Sequence, residues 1–206
     1  MHPGKLSIIL LAYQSEKRLE KAVTEIDTSL SAAGIPHEIV IIDDGSTDQS
    51  FAKARELAMR MENISAYSLS RNYTSPMAQF AGLEMCTGQC ACPMPDDGQR
   101  PIAHIIDMYR LWEKGHKIIL GYREGRDDGR VNDFFFFLYY SFMNRFSEIT
   151  FPPGGSDGYL IDREIIDLLN TRISKRNTTP VIELLKLGYS TVFVPYQRPQ
   201  RAGKSR

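Results

Sequence analysis

The chain has 206 residues, enough for one domain with a full hydrophobic core. Its 25 basic residues are matched by 25 acidic ones, so no overall positive charge argues for a nucleic-acid partner. No apolar run reaches transmembrane length, and residues 6–12 are too short and too soon followed by polar residues to read as a signal peptide.

Residues 6–12 read as a first strand. Leu19, Val23, Ile26 and Leu30 then recur at steps of four, three and four, one face of a helix that Gly34 ends. Residues 38–42 are a nearly continuous apolar, β-branched run, the mark of a strand buried on both faces of a parallel sheet. That strand ends on Asp43, Asp44 and Gly45. Ser46 with Gln49 has the spacing of a capping box, so a helix is expected from Ser46. Phe51, Ala54, Leu57, Ala58 and Met61 give its apolar stripe. Residues 64–69 read as a third strand, 77–85 as a helix and 89–94 as a fourth strand. Ile102, Ile105, Ile106, Tyr109 and Trp112 form another helical face, and 116–121 a fifth strand. This alternation predicts an α/β fold, a mostly parallel central sheet flanked by helices. With no repeat, linker or low-complexity tract, residues 1–206 are expected to be a single domain.

Several site types are excluded. The turn after the first strand, Ala12-Tyr13-Gln14-Ser15-Glu16, has no glycine-rich phosphate loop, which argues against a dinucleotide-binding domain. No Walker A loop occurs. Gly154-Gly155-Ser156-Asp157-Gly158 matches a nucleophile elbow in pattern, but Phe151-Pro152-Pro153 precedes it and no histidine follows it. Cys86, Cys90 and Cys92 are clustered, odd in number and without a nearby histidine. They read as buried small apolar residues of a reduced compartment rather than a zinc site.

The acidic strand ends carry the chemistry. In open α/β sheets ligands bind at the carboxyl ends of the strands. Asp43 and Asp44 there suit the N–H and hydroxyl groups of a base or sugar, or a cation. A second cluster, Pro95-Asp96-Asp97-Gly98-Gln99-Arg100-Pro101, follows the fourth strand. Asp97 and Gln99, two apart, could face one Mg²⁺ or Mn²⁺, which takes oxygen ligands and only one or two of them from protein. Two such ends in one sheet suggest a nucleotide-diphosphate site. The alternatives for these segments are a helix cap and a polar loop.

With these motifs in order, the chain resembles a family 2 glycosyltransferase of the GT-A fold, similar to dolichyl-phosphate mannose synthase and bacterial polyprenyl-phosphate glycosyltransferases. The resemblance covers nearly the whole chain. It includes Ala12-Tyr13-Gln14 with Glu16, the run from Val40 to Asp48, Ser68-Leu69-Ser70-Arg71-Asn72, and the helix from Ala78 to Gly88. Gly121-Tyr122-Arg123, Asn144-Arg145-Phe146-Ser147, Ser156 to Arg163, Leu187-Gly188-Tyr189, Val194-Pro195-Tyr196 and the basic end Arg201 to Arg206 complete it.

The resemblance implies a Rossmann-like nucleotide-sugar-binding half. Ala12, Tyr13, Glu16, Asp43, Asp44, Arg71, Asp96 and Asp97 would hold the donor, and Asp97 with Gln99 the Mg²⁺ or Mn²⁺. Asp97, Arg123 and Asp157 would be catalytic, Asp157 on the acceptor side. Arg123, Arg126, Ser156, Arg201, Lys204 and Arg206 would face phosphates or acceptor. The family usually has Asp-x-Asp and, after the glutamine, Asp-Pro-Pro. Here Pro95 replaces the first Asp, Arg100-Pro101-Ile102 the last three, and Leu11 a strand-terminal proline.

The implied reaction is transfer from a UDP- or GDP-sugar to a polyprenyl or dolichyl phosphate. Such an acceptor is already ionised, so single displacement with inversion needs no strong base; a hydroxyl acceptor would need one, with Asp157 the candidate. Transfer to a saccharide or protein hydroxyl, and a nucleotide-sugar-binding domain without turnover, are the alternatives. The aromatic run opening on Phe134 and closing on Met143 reads either as a buried helix or as an interfacial one beside a lipid acceptor, with Arg126, Arg130 and Arg145 near headgroups. A peripheral position at the cytoplasmic membrane face is therefore expected. The oligomeric state is left open, a homo-oligomer included. In the family the basic end is followed by an aromatic residue and membrane helices, so this chain is expected to lack an anchor.

Overall fold

The structure, a computed structural model, describes residues 4–123 and 158–197. The elements run β1 (Leu6–Ala12), α1 (Leu19–Ala32), β2 (His37–Asp43), α2 (Ser50–Arg60), β3 (Ile64–Ser68), α3 (Ser75–Met85), β4 (Cys90–Pro95) and α4 (Ile102–Glu113). Then come β5 (Ile118–Arg123), β6 (Tyr159–Asp162), α5 (Arg163–Thr171), α6 (Pro180–Lys186) and β7 (Thr191–Tyr196).

One seven-stranded sheet has the order β3-β2-β1-β4-β6-β5-β7. All neighbouring pairs are parallel except those of β6, which runs antiparallel to β4 and β5. The expected mostly parallel α/β sheet is therefore observed. Side-chain alternation splits the core into two layers. Leu6, Ile8 and Leu10 of β1 pack with the α1 stripe Leu19, Val23, Ile26 and Leu30 and with Ile105 and Met108 of α4. Ile9, on the other face, joins Val40, Ile42, Phe80 and Leu83, with Ile165 and Ile166 of α5. Cys86, Cys90 and Cys92 are buried free thiols, as expected.

Two expectations change. The helix expected from Ser46 begins at Ser50 instead. Ser46 is used elsewhere: its Oγ accepts the Gln14 N–H at 3.0 Å, so it ties two turns together, and Asp48 Oδ1 accepts the Ser50 N–H at 3.0 Å. Beyond β5, periodicity gave no element, whereas β6, α5, α6 and β7 complete the sheet and its second helical layer. Asp162 and Thr179 cap α5 and α6, accepting the N–H groups of Glu164 and Ile182.

The edge opposite the strand ends is locked by Glu38. Its carboxylate accepts from Ser7 Oγ (2.6 Å), Thr87 N (2.6 Å), Thr87 Oγ1 (2.7 Å) and Lys5 Nζ (2.9 Å). Burial by itself would raise the Glu38 carboxyl, but these donors outweigh it and hold it at about 2, against an ordinary 4.5. A depressed folded value stabilises above the unfolded one, so the contribution is complete above pH 4.5 and fades as pH falls towards 2. Glu38→Gln is expected to lower unfolding free energy at pH 7 by up to roughly 3 kcal/mol. Urea melts of both proteins across pH check it: the gap should close in acid, and a gap independent of pH would refute the linkage.

Candidate active site

Register brings the functional strand ends to one edge of the sheet. Ala12 pairs with Asp43, and Leu11 with Pro95. The chain leaves β1, β2 and β4 there, and a cavity of about 350 Å³ opens between these ends and the start of α3. Leu11, Pro95 and Ala78 give it an apolar side; Tyr13, Asn72 and Ser75 are among its polar lining. Its charged lining is Arg18, Asp44 and Asp96.

The adjacent carboxylates of β2 have different surroundings. Asp43 is 1 % exposed, and its Oδ2 accepts Ser68 Oγ at 2.8 Å and Ser46 N at 3.2 Å. Its Oδ1 is buried with no hydrogen-bond partner among the described residues. A buried acceptor without a donor is costly, so this oxygen fits an incoming N–H or O–H. Asp44 Oδ1 instead accepts the Tyr73 N–H at 2.7 Å, holding the β3–α3 loop over the cavity. Gly45 lets this happen: at φ +68 its missing Cβ would lie 2.4 Å from the Arg71 carbonyl carbon. The Arg71 guanidinium lies 4.6 Å from the Tyr73 ring centroid. Thr74, at φ 78 and ψ 159, holds a backbone conformation that a β-branched residue rarely adopts, at the cavity rim.

Asp96, one residue beyond β4, is 6 % exposed. Its Oδ2 receives the Arg18 Nε–H at 2.9 Å. Burial pushes the Asp96 carboxyl above the ordinary 3.8, against the Ser15 hydroxyl and the Arg18 charge, which pull it down. Arg18 Nη2 also donates to Tyr13 O (2.9 Å) and Ser15 Oγ (3.0 Å). The β1–α1 turn and the end of β4 are thus joined by one guanidinium, a residue that sequence reasoning missed.

Asp97 is exposed at the tip of the next turn, and its Oδ1 accepts the Gln99 N–H at 3.0 Å. The Gln99 side chain is buried beside it. Among the described residues no group of three or more His, Cys, Asp or Glu could hold a metal ion. An exposed carboxylate with a neighbouring amide oxygen fits a hard cation that takes most of its ligands from a diphosphate and water. Arg100 is buried, its Nη1 donating to Pro93 O at 2.7 Å, and its guanidinium fills the space where a Gly158 Cβ would sit. Arg123 ends β5.

Of the sequence-selected donor residues, Ala12, Tyr13, Asp44 and Asp96 line the cavity. Glu16, Asp43, Arg71 and Asp97 are not among its lining residues; the Glu16 N–H donates to Asp48 Oδ2 at 3.3 Å. Arg126, Ser156, Asp157, Arg201, Lys204, Arg206, the aromatic run 134–143 and the pattern 154–157 lie outside the described residues. Among the described residues no helix is long and apolar enough to cross a membrane.

The family model "Glycosyl transferase family 2" matches residues 7–167. An uncharacterized glycosyltransferase of Synechocystis sp. is 27 % identical over 198 residues, covering 96 % of this chain and 62 % of that protein. The bactoprenol glucosyl transferase of Shigella phage SfX is 29 % identical over 201 residues, covering 96 % of this chain and 65 % of that protein. The chain thus spans under two thirds of the length of these relatives. Among solved structures, a mannosyltransferase from Pyrobaculum calidifontis, in complex with GDP-Man and Mn²⁺, superposes with a TM-score of 0.64 at 14 % identity. It covers 99 % of this chain and 59 % of that one. Glucosyl-3-phosphoglycerate synthase from Mycobacterium tuberculosis, with Mn²⁺, UDP and phosphoglyceric acid, gives 0.63 at 15 % identity, covering 98 % and 72 %. The architecture is that of the GT-A glycosyltransferases.

Proposed function

Because this chain belongs to glycosyl transferase family 2, we propose that it moves a hexosyl or N-acetylhexosaminyl group from a UDP- or GDP-sugar to a polyprenyl phosphate, with inversion, at the cytoplasmic membrane face. The observation that carries the reading is the gathering of two acidic strand ends, Asp43–Asp44 and Asp96–Asp97, at one edge of the sheet beside a cavity. Relatives named as bactoprenol glucosyl transferases support the lipid-phosphate acceptor.

In this reading Asp43 Oδ1 accepts from the nucleoside and Asp44 keeps the β3–α3 loop in place. Asp97 and Gln99 hold Mg²⁺ or Mn²⁺, which when bound neutralises the leaving diphosphate. Arg71 and Arg123 face phosphates, and Arg126, Ser156, Arg201, Lys204 and Arg206 would serve the acceptor side. An acceptor phosphate oxygen attacks the anomeric carbon as its bond to the donor diphosphate breaks, the electron pair leaving on the nucleoside diphosphate. A phosphate monoester is ionised near neutral pH, so no side chain need take a proton; with a hydroxyl acceptor, Asp157 would. Residues 134–143 would rest at the headgroup level beside the lipid acceptor.

A thermal-shift panel of UDP- and GDP-sugars, with and without Mg²⁺ or Mn²⁺, tests the donor half of this reading. Stabilisation by one nucleotide class, larger with metal, is expected. Indifference to every nucleotide sugar would overturn it.

A further inference from the structure

The turn that carries Asp97 and Gln99 leaves the sheet where two strands part. β4 pairs with β6 only at Cys90–Asp162 and Ala91–Ile161, and residues 92–95 have no β6 partner among the described residues. Pro93 and Pro95 stand in that stretch, and a proline has no N–H to give a neighbouring strand. Arg100 fills the opening. Its Nη1 donates to Pro93 O at 2.7 Å, which ties the end of the turn back to β4 seven residues earlier. Its guanidinium also takes the space of the absent Cβ of Gly158, the residue before β6, which stands at φ +136. The Gly158 carbonyl in turn accepts the Gly121 N–H of β5 at 2.9 Å. Arg100 is only 7 % exposed, and burying a cation is costly, so its place between these strands is a specific one. At the start of the turn, Arg18 Nε holds Asp96 Oδ2 at 2.9 Å. The segment from Asp96 to Gln99 is therefore fixed between two planar guanidiniums.

We propose that Arg100 is a positioning residue of the divalent-cation site: by closing the base of the turn it keeps Asp97 and Gln99 facing one Mg²⁺ or Mn²⁺. This rests on the metal reading above and adds to it the group that fixes the ligand pair. Groups that orient metal ligands from behind typically matter by about 10- to 100-fold in metal affinity. Lysine at position 100 would keep the charge but lose the fork that spans Pro93 O and Gly158. Methionine would lose both. A buried charge that acted only through its field would repel the cation, so the two roles have opposite signs.

The test is calorimetric binding of UDP and GDP, in saturating Mn²⁺ and in chelator, to wild type, Arg100→Lys and Arg100→Met, each verified as folded by thermal melting. The readout is the factor by which Mn²⁺ tightens nucleotide binding. That factor should fall by about 10-fold in both variants, while affinity in chelator stays within about 3-fold of wild type. Arg100→Lys, which retains the charge, carries the test alone if Arg100→Met does not fold. An unchanged factor in the folded variants would overturn the positioning role. So would a loss of affinity equal with and without Mn²⁺, the mark of a merely structural tether. A factor that rises in Arg100→Met and holds in Arg100→Lys, the mark of a repelling charge, would overturn it too. Wild type that binds a diphosphate equally in Mn²⁺ and in chelator overturns the metal reading beneath it, whereas wild type that binds neither diphosphate overturns the nucleotide-sugar reading itself.

Discussion

Asp97→Ala is expected to lower sugar transfer by at least about a thousand-fold and to remove the metal-dependent part of nucleoside-diphosphate binding. The leaving group is a diphosphate whose departure needs charge neutralisation, and Asp97 is the exposed carboxylate beyond β4. Folding should survive, because Asp97 is exposed and its hydrogen bond from the Gln99 N–H at 3.0 Å joins neighbours in one turn, a contact that contributes about 1 kcal/mol. Transfer rates and metal titrations of nucleotide binding check this. Wild-type turnover in the mutant, or turnover indifferent to chelator, would remove Asp97 from the metal site.

Asp43→Asn should weaken donor binding by on the order of 100-fold while leaving the strand in place. The amide oxygen can keep the bonds from Ser68 Oγ and Ser46 N that now reach Oδ2. The amide nitrogen then replaces Oδ1, the buried oxygen that has no partner among the described residues. A donor stands where an acceptor was, so it opposes the N–H or O–H that Oδ1 would receive. Calorimetric titration with UDP and GDP reads the effect. Unchanged affinity would mean that Oδ1 does not meet the nucleoside.

The parts of the fold that were legible are those with strong periodic signals. The apolar runs of β1 and β2 and the α1 stripe are buried on both faces or along one, and the structure has them within a residue or two. Strand ends are also legible, because a buried run that stops on carboxylates must stop at the sheet edge. The start of α2 was misread because Ser46 bonds across to Gln14 rather than to its own helix, a long-range choice that a capping pattern does not encode. The last strands were missed for a different reason. β6 has only four residues and is sandwiched between strands distant in sequence, and β7 is a partly exposed edge strand.

Within the site, Asp43 and Asp44 were recognisable as a pair, but their division of labour was not. One depends on Ser68, at the end of β3, and the other on the Tyr73 N–H beyond it. Arg18 was invisible for the same reason. A basic residue at a helix start reads as solvated surface, and its carboxylate partner lies 78 residues away.

Transfer to a lipid phosphate is tested most directly by supplying labelled UDP-glucose or GDP-mannose with a polyprenyl phosphate and Mg²⁺ or Mn²⁺, then extracting with organic solvent. Label is expected in the organic phase, dependent on the polyprenyl phosphate and on metal, and lost with Asp97→Ala. Label that stays in the aqueous phase with every donor, or passes only to a saccharide or protein hydroxyl, would contradict it.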